Sequence, residues 1–156
     1  MPLSDTDVID LLSILPTLTD FTFHEQWACI YSPKDGWKEV EPGIHHTAMT
    51  VTSTLLERLT APAFTFDAFA TNRYPLLPKL KSLRLAVLHH FDADSTFVEM
   101  VKSRWFIPKS ETMEKMIEVA LTVLYRDLDP KIYEPLKIIE RDGMRLTVMG
   151  NGAYIV

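Results

Sequence analysis

The chain has 156 residues, of which 47% are hydrophobic and 24% are charged, a composition typical of one soluble globular domain. A formal net charge of −5, with no clustered basic run, disfavours a nucleic-acid-binding surface. A single cysteine excludes an internal disulfide framework, and neither a signal peptide nor an apolar run of ~20 residues is present. We therefore expect a cytoplasmic or nuclear protein that contacts neither membrane nor nucleic acid.

The first predicted unit is a helix followed by a short strand. Ser4 and Asp7 form a capping-box pair at the helix N-terminus. Pro16 ends the helix, because proline cannot donate a main-chain hydrogen bond. Helical spacing relates Val8, Leu11, Leu12 and Leu15, whereas Leu18, Phe21 and Phe23 follow as a strand with one buried face.

The second unit repeats this order. Residues 50–62 predict a helix that buries three leucines, with Thr54 and Glu57 closing its N-terminus and Pro62 beyond its end. The strand after Pro78 has the spacing of the first strand, with apolar residues at Leu80, Leu83 and Leu85. The shared spacing indicates that the two units are equivalent.

The third unit has a helix that begins at Asp92 or Asp94 and places Phe97, Met100, Val101 and Trp105 on one apolar stripe. For the segment after it two interpretations remain open. A helical period fits residues 111–120, whereas the β-branched residues at its end favour a strand over 117–124.

The last unit has Asp129 as a helix N-cap, Pro130 at the first helical position and Asp142-Gly143 as the stop. Pro135 conflicts with one continuous helix, so a shorter helix starting at Pro135 is the alternative. The final strand alternates at Met144, Leu146 and Val148.

Four helix-strand units in succession predict an α/β fold with parallel strands on one side and helices on the other. The recurring "LxxLxL" core indicates that each unit buries its leucines against the next one. We therefore expect a single domain over residues 1–156: a short degenerate leucine-rich-repeat-like solenoid, with long inserts at 24–49 and 61–75.

Three stretches carry a resemblance to a known family: "LLPKLKSLRL", "FDADSTFVEMVKSRW" and "DPKIYEPLKIIERDGMRLTV". Together they resemble the C-terminal leucine-rich-repeat region of fungal (basidiomycete) F-box-like proteins, over most of residues 8–149. The most specific piece is the helix end that contains Met100, Arg104 and Trp105. The insert at 24–49 is not part of the family's pattern.

This resemblance implies a non-enzymatic protein-protein interaction module, similar to the substrate-recognition half of a ubiquitin-ligase receptor. No F-box helices are recognised in the chain, so adaptor and cullin docking is not expected and the partner is an unknown protein target. A truncated copy without activity is the other expectation for such a chain.

Residues with catalytic or metal-binding chemistry give only a competing hypothesis. Adjacent histidines such as His45-His46 point to opposite faces of an extended segment, and Cys29 lies among apolar residues, so we predict no catalytic, metal or cofactor site there. The alternative is a small hydrolase or transferase that uses His89, His90 and Asp92 at the carboxyl edge of a strand.

Aromatic residues of the insert are the better candidates for partner binding. Trp27, Tyr31 and Trp37 lie within eleven residues of one another, around a predicted turn that includes Gly36. The alternative interpretation is that the insert covers an open end of the repeat stack. Arg104 is predicted to be free at the surface to contact a partner, whereas the neighbouring Trp105 is assigned to the core.

Overall fold

The computed structural model describes residues 3–25, 29–32, 36–39, 50–62, 75–107 and 112–156. Helices and strands alternate along these ranges as follows: α1 (Asp5–Ser13), β1 (Asp20–His24), β2 (Cys29–Ser32), β3 (Gly36–Glu39), α2 (Ser53–Leu59), β4 (Ser82–Val87), α3 (Asp94–Trp105), β5 (Glu118–Val123), α4 (Pro130–Tyr133), α5 (Leu136–Arg141), β6 (Arg145–Gly150) and β7 (Ala153–Tyr154).

The main sheet has five strands in the order β1-β4-β5-β6-β7. The first four are parallel and follow their order in the chain, whereas β7 returns antiparallel to β6. The register aligns Phe21, Leu83, Val119 and Leu146 in one row across the parallel strands. The prediction of an α/β fold with parallel strands is therefore confirmed for the first four strands. Of the two interpretations of the segment after α3, the strand over 117–124 is the correct one, because β5 spans Glu118–Val123.

One face of this sheet belongs to the core. Side chains from alternate positions of β4, β5 and β6 pack with the helices into one apolar cluster. The helices contact one another in chain order, α1 with α2, α2 with α3, and α3 with α4 and α5. The described residues thus form a mixed α/β arrangement of a helical layer and a mostly parallel sheet. A solenoid stays a prediction.

Helix boundaries follow local capping chemistry. The predicted capping box of Ser4 and Asp7 is present at the start of α1. For α2 the prediction was wrong, because Thr52 is the N-cap and its hydroxyl accepts from Leu55 N. Thr52 also donates to the Asp5 carboxylate at 2.9 Å, so the N-termini of the two helices are joined.

Pro135 divides the last helical segment. Asp129 caps α4, with Pro130 at its first position as predicted, and α4 ends at Tyr133. A second short helix, α5, begins after Pro135. Gly143 terminates it with φ +104°, a conformation that glycine adopts without strain.

The predicted insert at 24–49 contains a two-stranded antiparallel hairpin. β2 and β3 pair through four registered positions, from Cys29 opposite Glu39 to Ser32 opposite Gly36. The second insert lies outside the described residues from 63 to 74. Within the described ranges, no helix is both long and apolar enough to cross a bilayer.

Candidate functional site

Among the described residues, the helices pack on one face of the parallel sheet, and its second face lies opposite this helical layer. Side chains alternate between the two faces of a strand, so the positions between the buried ones point to this face. We call it the open face. It is formed by three rows across β1, β4, β5 and β6, namely Asp20, Ser82, Glu118 and Arg145, then Thr22, Arg84, Ala120 and Thr147, then His24, Ala86, Thr122 and Met149.

An ion-pair network crosses the open face. The Glu118 carboxylate accepts from Arg84 Nε at 2.7 Å through one oxygen, and Arg145 Nη2 lies 2.6 Å from the other. A second nitrogen of Arg84 contacts the same oxygen as Nε. The Glu118 side chain is only 16% exposed, whereas the Arg84 and Arg145 side chains are 56% and 72% exposed.

This network gives the open face a defined charge. Two guanidinium groups surround one carboxylate, so the cluster carries a net positive charge and presents donors to solvent. Neighbouring positions carry small side chains that are half-buried, namely Ala86, Ala120, Thr122 and Thr147. Cationic donors exposed on such a sheet face can pair with carboxylates of another protein chain.

The carboxyl edge of the sheet contains a buried carboxylate, that of Glu25, for which the sequence predicted no role. Glu25, next after β1, accepts from Thr50 N and Val51 N at 3.2 Å through Oε1, and from Leu88 N at 3.1 Å through Oε2. Hydrogen bonds from three main-chain N–H groups fix this side chain. Glu25 thereby joins the ends of β1 and β4 to the chain that leads into α2.

The histidines of the competing enzyme hypothesis lie beside this carboxylate. His90 Nε2 is 3.5 Å from Glu25 Oε2, and this nitrogen is buried without a hydrogen-bond partner among the residues that the structure describes. His89 and His90 pack edge to face with their ring centroids 5.5 Å apart. Asp92 is exposed. The structure thus brings His90 to a carboxylate, but to Glu25 rather than to the predicted Asp92.

A second buried polar cluster joins the N-terminus of α3 to α4. Asp94 accepts from the Tyr133 hydroxyl and from Arg126 Nη2, the latter at 2.7 Å and 3.0 Å to its two oxygens. Burial, and then the hydrogen bond to Asp94, raise the pKa of Tyr133 well above its ordinary value. Tyr133 is fully enclosed, so this cluster stabilises the packing of α3 against α4 and the β5-α4 loop.

Arg104 is in the interior, which corrects the prediction that it is free at the surface. It is 0% exposed and its guanidinium donates to three main-chain carbonyls, Leu59 O at 2.6 Å, Leu76 O at 2.6 Å and Leu77 O at 3.1 Å. Burial lowers its pKa to about 10, which leaves the group charged at neutral pH. Arg104 therefore joins α3 to both sides of the insert at 61–75.

Trp105 packs in the core as predicted, with Lys115 Nζ 3.3 Å from its ring centroid. Of the aromatic candidates, Trp27 lies outside the described residues. Tyr31 and Trp37 are directly opposite each other in the β2-β3 register. Their role in partner binding stays a prediction.

Among the side chains that the structure describes, no group of three or more His, Cys, Asp or Glu residues is positioned to hold a metal ion. Comparison of the chain with known proteins finds no matching family model, no similar curated protein and no similar solved structure.

Proposed function

We propose that the chain is a non-enzymatic protein-binding module, a short leucine-rich-repeat-like solenoid that binds its target on the open face. The observation that carries this proposal is the Arg84–Glu118–Arg145 network on the sheet face opposite the described helices. Arginine side chains are enriched among the residues that dominate protein interfaces, and their planar donors recognise carboxylates. The expected target is therefore a protein segment that presents an acidic side chain to Arg84 or Arg145.

The family resemblance supports a more specific proposal. In this proposal the module is the target-binding half of an F-box-type ubiquitin-ligase receptor. Adaptor and cullin would then be absent from complexes made by this chain alone, because no F-box helices are recognised in it.

An affinity experiment with a matched control tests the open face. The chain, an R84A/R145A variant and a K131A/K137A variant are each used as bait in a cell lysate, and retained proteins are identified by mass spectrometry. Both variants lose two positive charges, the first from the open face and the second from exposed positions on α4 and α5. We expect proteins that the parent chain and the K131A/K137A variant retain to be lost from R84A/R145A.

Equal recovery by all three baits contradicts binding through the open face. Recovery of a Skp-type adaptor with a cullin contradicts the proposal that ligase docking is absent. Circular dichroism of each bait establishes that a lost partner does not reflect a lost fold.

A small α/β enzyme at the carboxyl edge of the sheet is the second candidate, favoured by the approach of His90 to Glu25. Its weakness is that hydrogen bonds from three main-chain N–H groups already occupy the Glu25 carboxylate. Hydrolysis of an ester or phosphoester substrate by the parent chain, abolished in H90A with its fold intact, would favour the enzyme.

A further inference from the structure

β1 is the outermost strand of the sheet in the described structure, and three of its five residues direct their main-chain groups away from β4. Ser82 N donates to Thr19 O at 3.0 Å, and Glu25 N donates to Ala86 O at 2.8 Å. Residues along a strand alternate in the side to which their N–H and C=O groups point. The odd-numbered residues of β1 therefore bond to β4, and Asp20, Thr22 and His24 direct theirs outward.

The opposite edge of the sheet differs, because β7 occupies it. β7 pairs with β6 at Met149 and Gly150, and Ile155 N donates to Val148 O at 2.8 Å. Within the described residues, the outer side of β1 can therefore pair with another strand. The outer side of β6 at Met149 and Gly150 cannot, because β7 already occupies it.

The sequence of β1, DFTFH, is complementary to itself when read antiparallel. If two copies pair about a two-fold axis at Thr22, Asp20 lies opposite His24 of the second copy. Phe21 then lies opposite Phe23 of that copy on the other face of the strand. The N–H and C=O groups used in this register are those of Asp20, Thr22 and His24, the same three residues that point outward.

We propose that two copies of this chain form a symmetric dimer by antiparallel pairing of their β1 strands at this register. The carboxylate of Asp20, which also accepts from the Thr19 hydroxyl at 2.6 Å, receives a hydrogen bond from the His24 imidazole of the second copy. Because both sheets continue across the axis, the interface is isologous and closed, and it does not propagate into a filament.

The apolar surface of the same N-terminal unit supports this partner. Phe21 and Phe23 are only half-buried, with ring centroids 6.2 Å apart. α1 and the turn after it expose large aliphatic side chains, of which Ile14 is 74% exposed; the others are Leu11 and Leu15. A second copy that pairs along β1 brings its own Phe21 and Phe23 to the axis, and their burial removes apolar surface from water.

This inference goes beyond the proposed function, because the dimer uses the edge of β1 and leaves the Arg84–Glu118–Arg145 network uncovered. The two proposals can therefore fail independently. If the chain does not dimerise, a partner that binds through Arg84 and Arg145 should still be retained by the parent chain and lost from R84A/R145A.

Sedimentation equilibrium of the full chain, from about 1 µM to about 1 mM, measures the dimer directly. The first variant is T22P. Proline has no N–H, but that of Thr22 points outward, so the substitution leaves the pairing with β4 intact and is of the kind found on edge strands. We expect T22P to sediment as a monomer across the range, with an unchanged far-ultraviolet circular dichroism spectrum.

A charge exchange tests the register without proline. H24D places two aspartates opposite each other twice in the symmetric dimer, and we expect the dissociation constant to rise about tenfold. The D20H/H24D double variant restores opposite pairs in reversed order, so its dissociation constant should return to near that of the parent chain. Residues 20 and 24 lie on the same strand, so recovery in the double variant indicates pairing between copies.

A chain that is monomeric throughout the concentration range overturns the proposal. So does a dimer whose dissociation constant is the same in the parent chain, H24D and T22P, because that dimer uses another surface.

Discussion

Arg104 shows how one buried charge can organise several segments. Its guanidinium reaches the last residue of α2 and both leucines of the turn before β4. Leu77, one of these leucines, has φ 52°, a left-handed conformation that a leucine rarely adopts. A hydrogen bond to its carbonyl helps to fix a turn that the residue does not favour by itself.

We expect Arg104→Leu to lower the free energy of unfolding by about 3 kcal/mol or more, since it leaves three buried carbonyls without their donor. Urea unfolding followed by circular dichroism measures this change. Lys102→Ala on the same helix is the control, with an expected change of about 0.5 kcal/mol, because the ion pair of Lys102 with Glu99 is solvent-exposed. Equal losses in the two variants would show that the carbonyl contacts are not important for stability.

Tyr133 makes the free energy of unfolding depend on pH in the alkaline range. Its pKa is raised in the folded state, first by burial and then by the hydrogen bond to Asp94, from an ordinary value of 10.0. Above pH 10 the unfolded chain releases this proton while the folded chain keeps it, so the unfolded state is favoured as pH rises. Above pH 10, Tyr133 therefore lowers the free energy of unfolding by at most about 1.4 kcal/mol per pH unit.

We expect Tyr133→Phe to lower the free energy of unfolding by about 1 to 2 kcal/mol at neutral pH. Above pH 10, the free energy of unfolding should fall less steeply with pH in this variant than in the parent chain. The measurement is urea unfolding at several pH values from 8 to 11. Tyr154→Phe, at an exposed position, should keep the slope of the parent chain. A parallel decline in all three proteins would refute the assignment to Tyr133.

The position of Arg104 was available from helical spacing, although its environment was not. Arg104 follows Val101 by three residues and Phe97 by seven, so the stripe that correctly placed Trp105 in the core included Arg104 as well. Its charge favoured a surface assignment. The sequence alone does not show that main-chain carbonyls from distant segments come together around this side chain. Glu25 escaped prediction for the same reason, since its donors come from residues 50, 51 and 88.

At the scale of elements, close contact between β6 and the β5-α4 loop depends on a glycine. A Cβ atom built on Gly150 would lie 2.5 Å from Leu128 Cγ and 3.0 Å from Arg126 O. The first distance is shorter than real Cβ contacts show. The second is tight, and it involves a main-chain oxygen that no side-chain rotation can move away. Gly150 therefore allows the loop that supplies Arg126 to Asp94 to lie against the end of β6.

Gly150→Ala should lower the free energy of unfolding by about 1 to 3 kcal/mol through overpacking. Thermal and urea unfolding measure it, and a double-mutant cycle with Leu128→Ala identifies the cause. If the clash with Leu128 dominates, Gly150→Ala costs less in the Leu128→Ala background. Full additivity of the two substitutions would attribute the cost to the Arg126 carbonyl instead.

The strands β1, β4, β5 and β6 were predictable because their apolar spacing is regular. Apolar side chains at two-residue intervals identified Leu83 and Leu85 as one buried face. The same alternation contained the open face, since Arg84 lies between them, but a single strand gives no reason to combine it with Glu118 and Arg145. β7 was missed because a two-residue strand has no period.

For the whole molecule, the order of the strands sets the order of local stability. β4 and β5 each have a parallel neighbour on both sides, whereas β1 and β7 are the outer strands of the described sheet. Main-chain bonds in the centre open only when neighbouring strands separate, and those at an edge open by fraying.

Native-state hydrogen exchange followed by NMR should find the slowest amides in β4 and β5. In β1 we expect an alternation at low protein concentration, with the Phe21 and Phe23 amides protected by β4 and the Thr22 amide exchanging fast. Uniform protection along β1 in a monomeric sample would contradict the alternation of main-chain groups that the structure describes.

The returning strand β7 also gives the fold a direction. It occupies part of the edge at which a further parallel strand would join β6, so a longer protein made by adding helix-strand units after β6 would first have to displace β7. Units added before α1 would meet a parallel edge that is already open in the described sheet. For protein engineering, this asymmetry makes the N-terminal side the place to add helix-strand units. The β6-β7 hairpin ends the sheet at its other side, and it can be grafted onto the last unit of other such sheets for the same purpose.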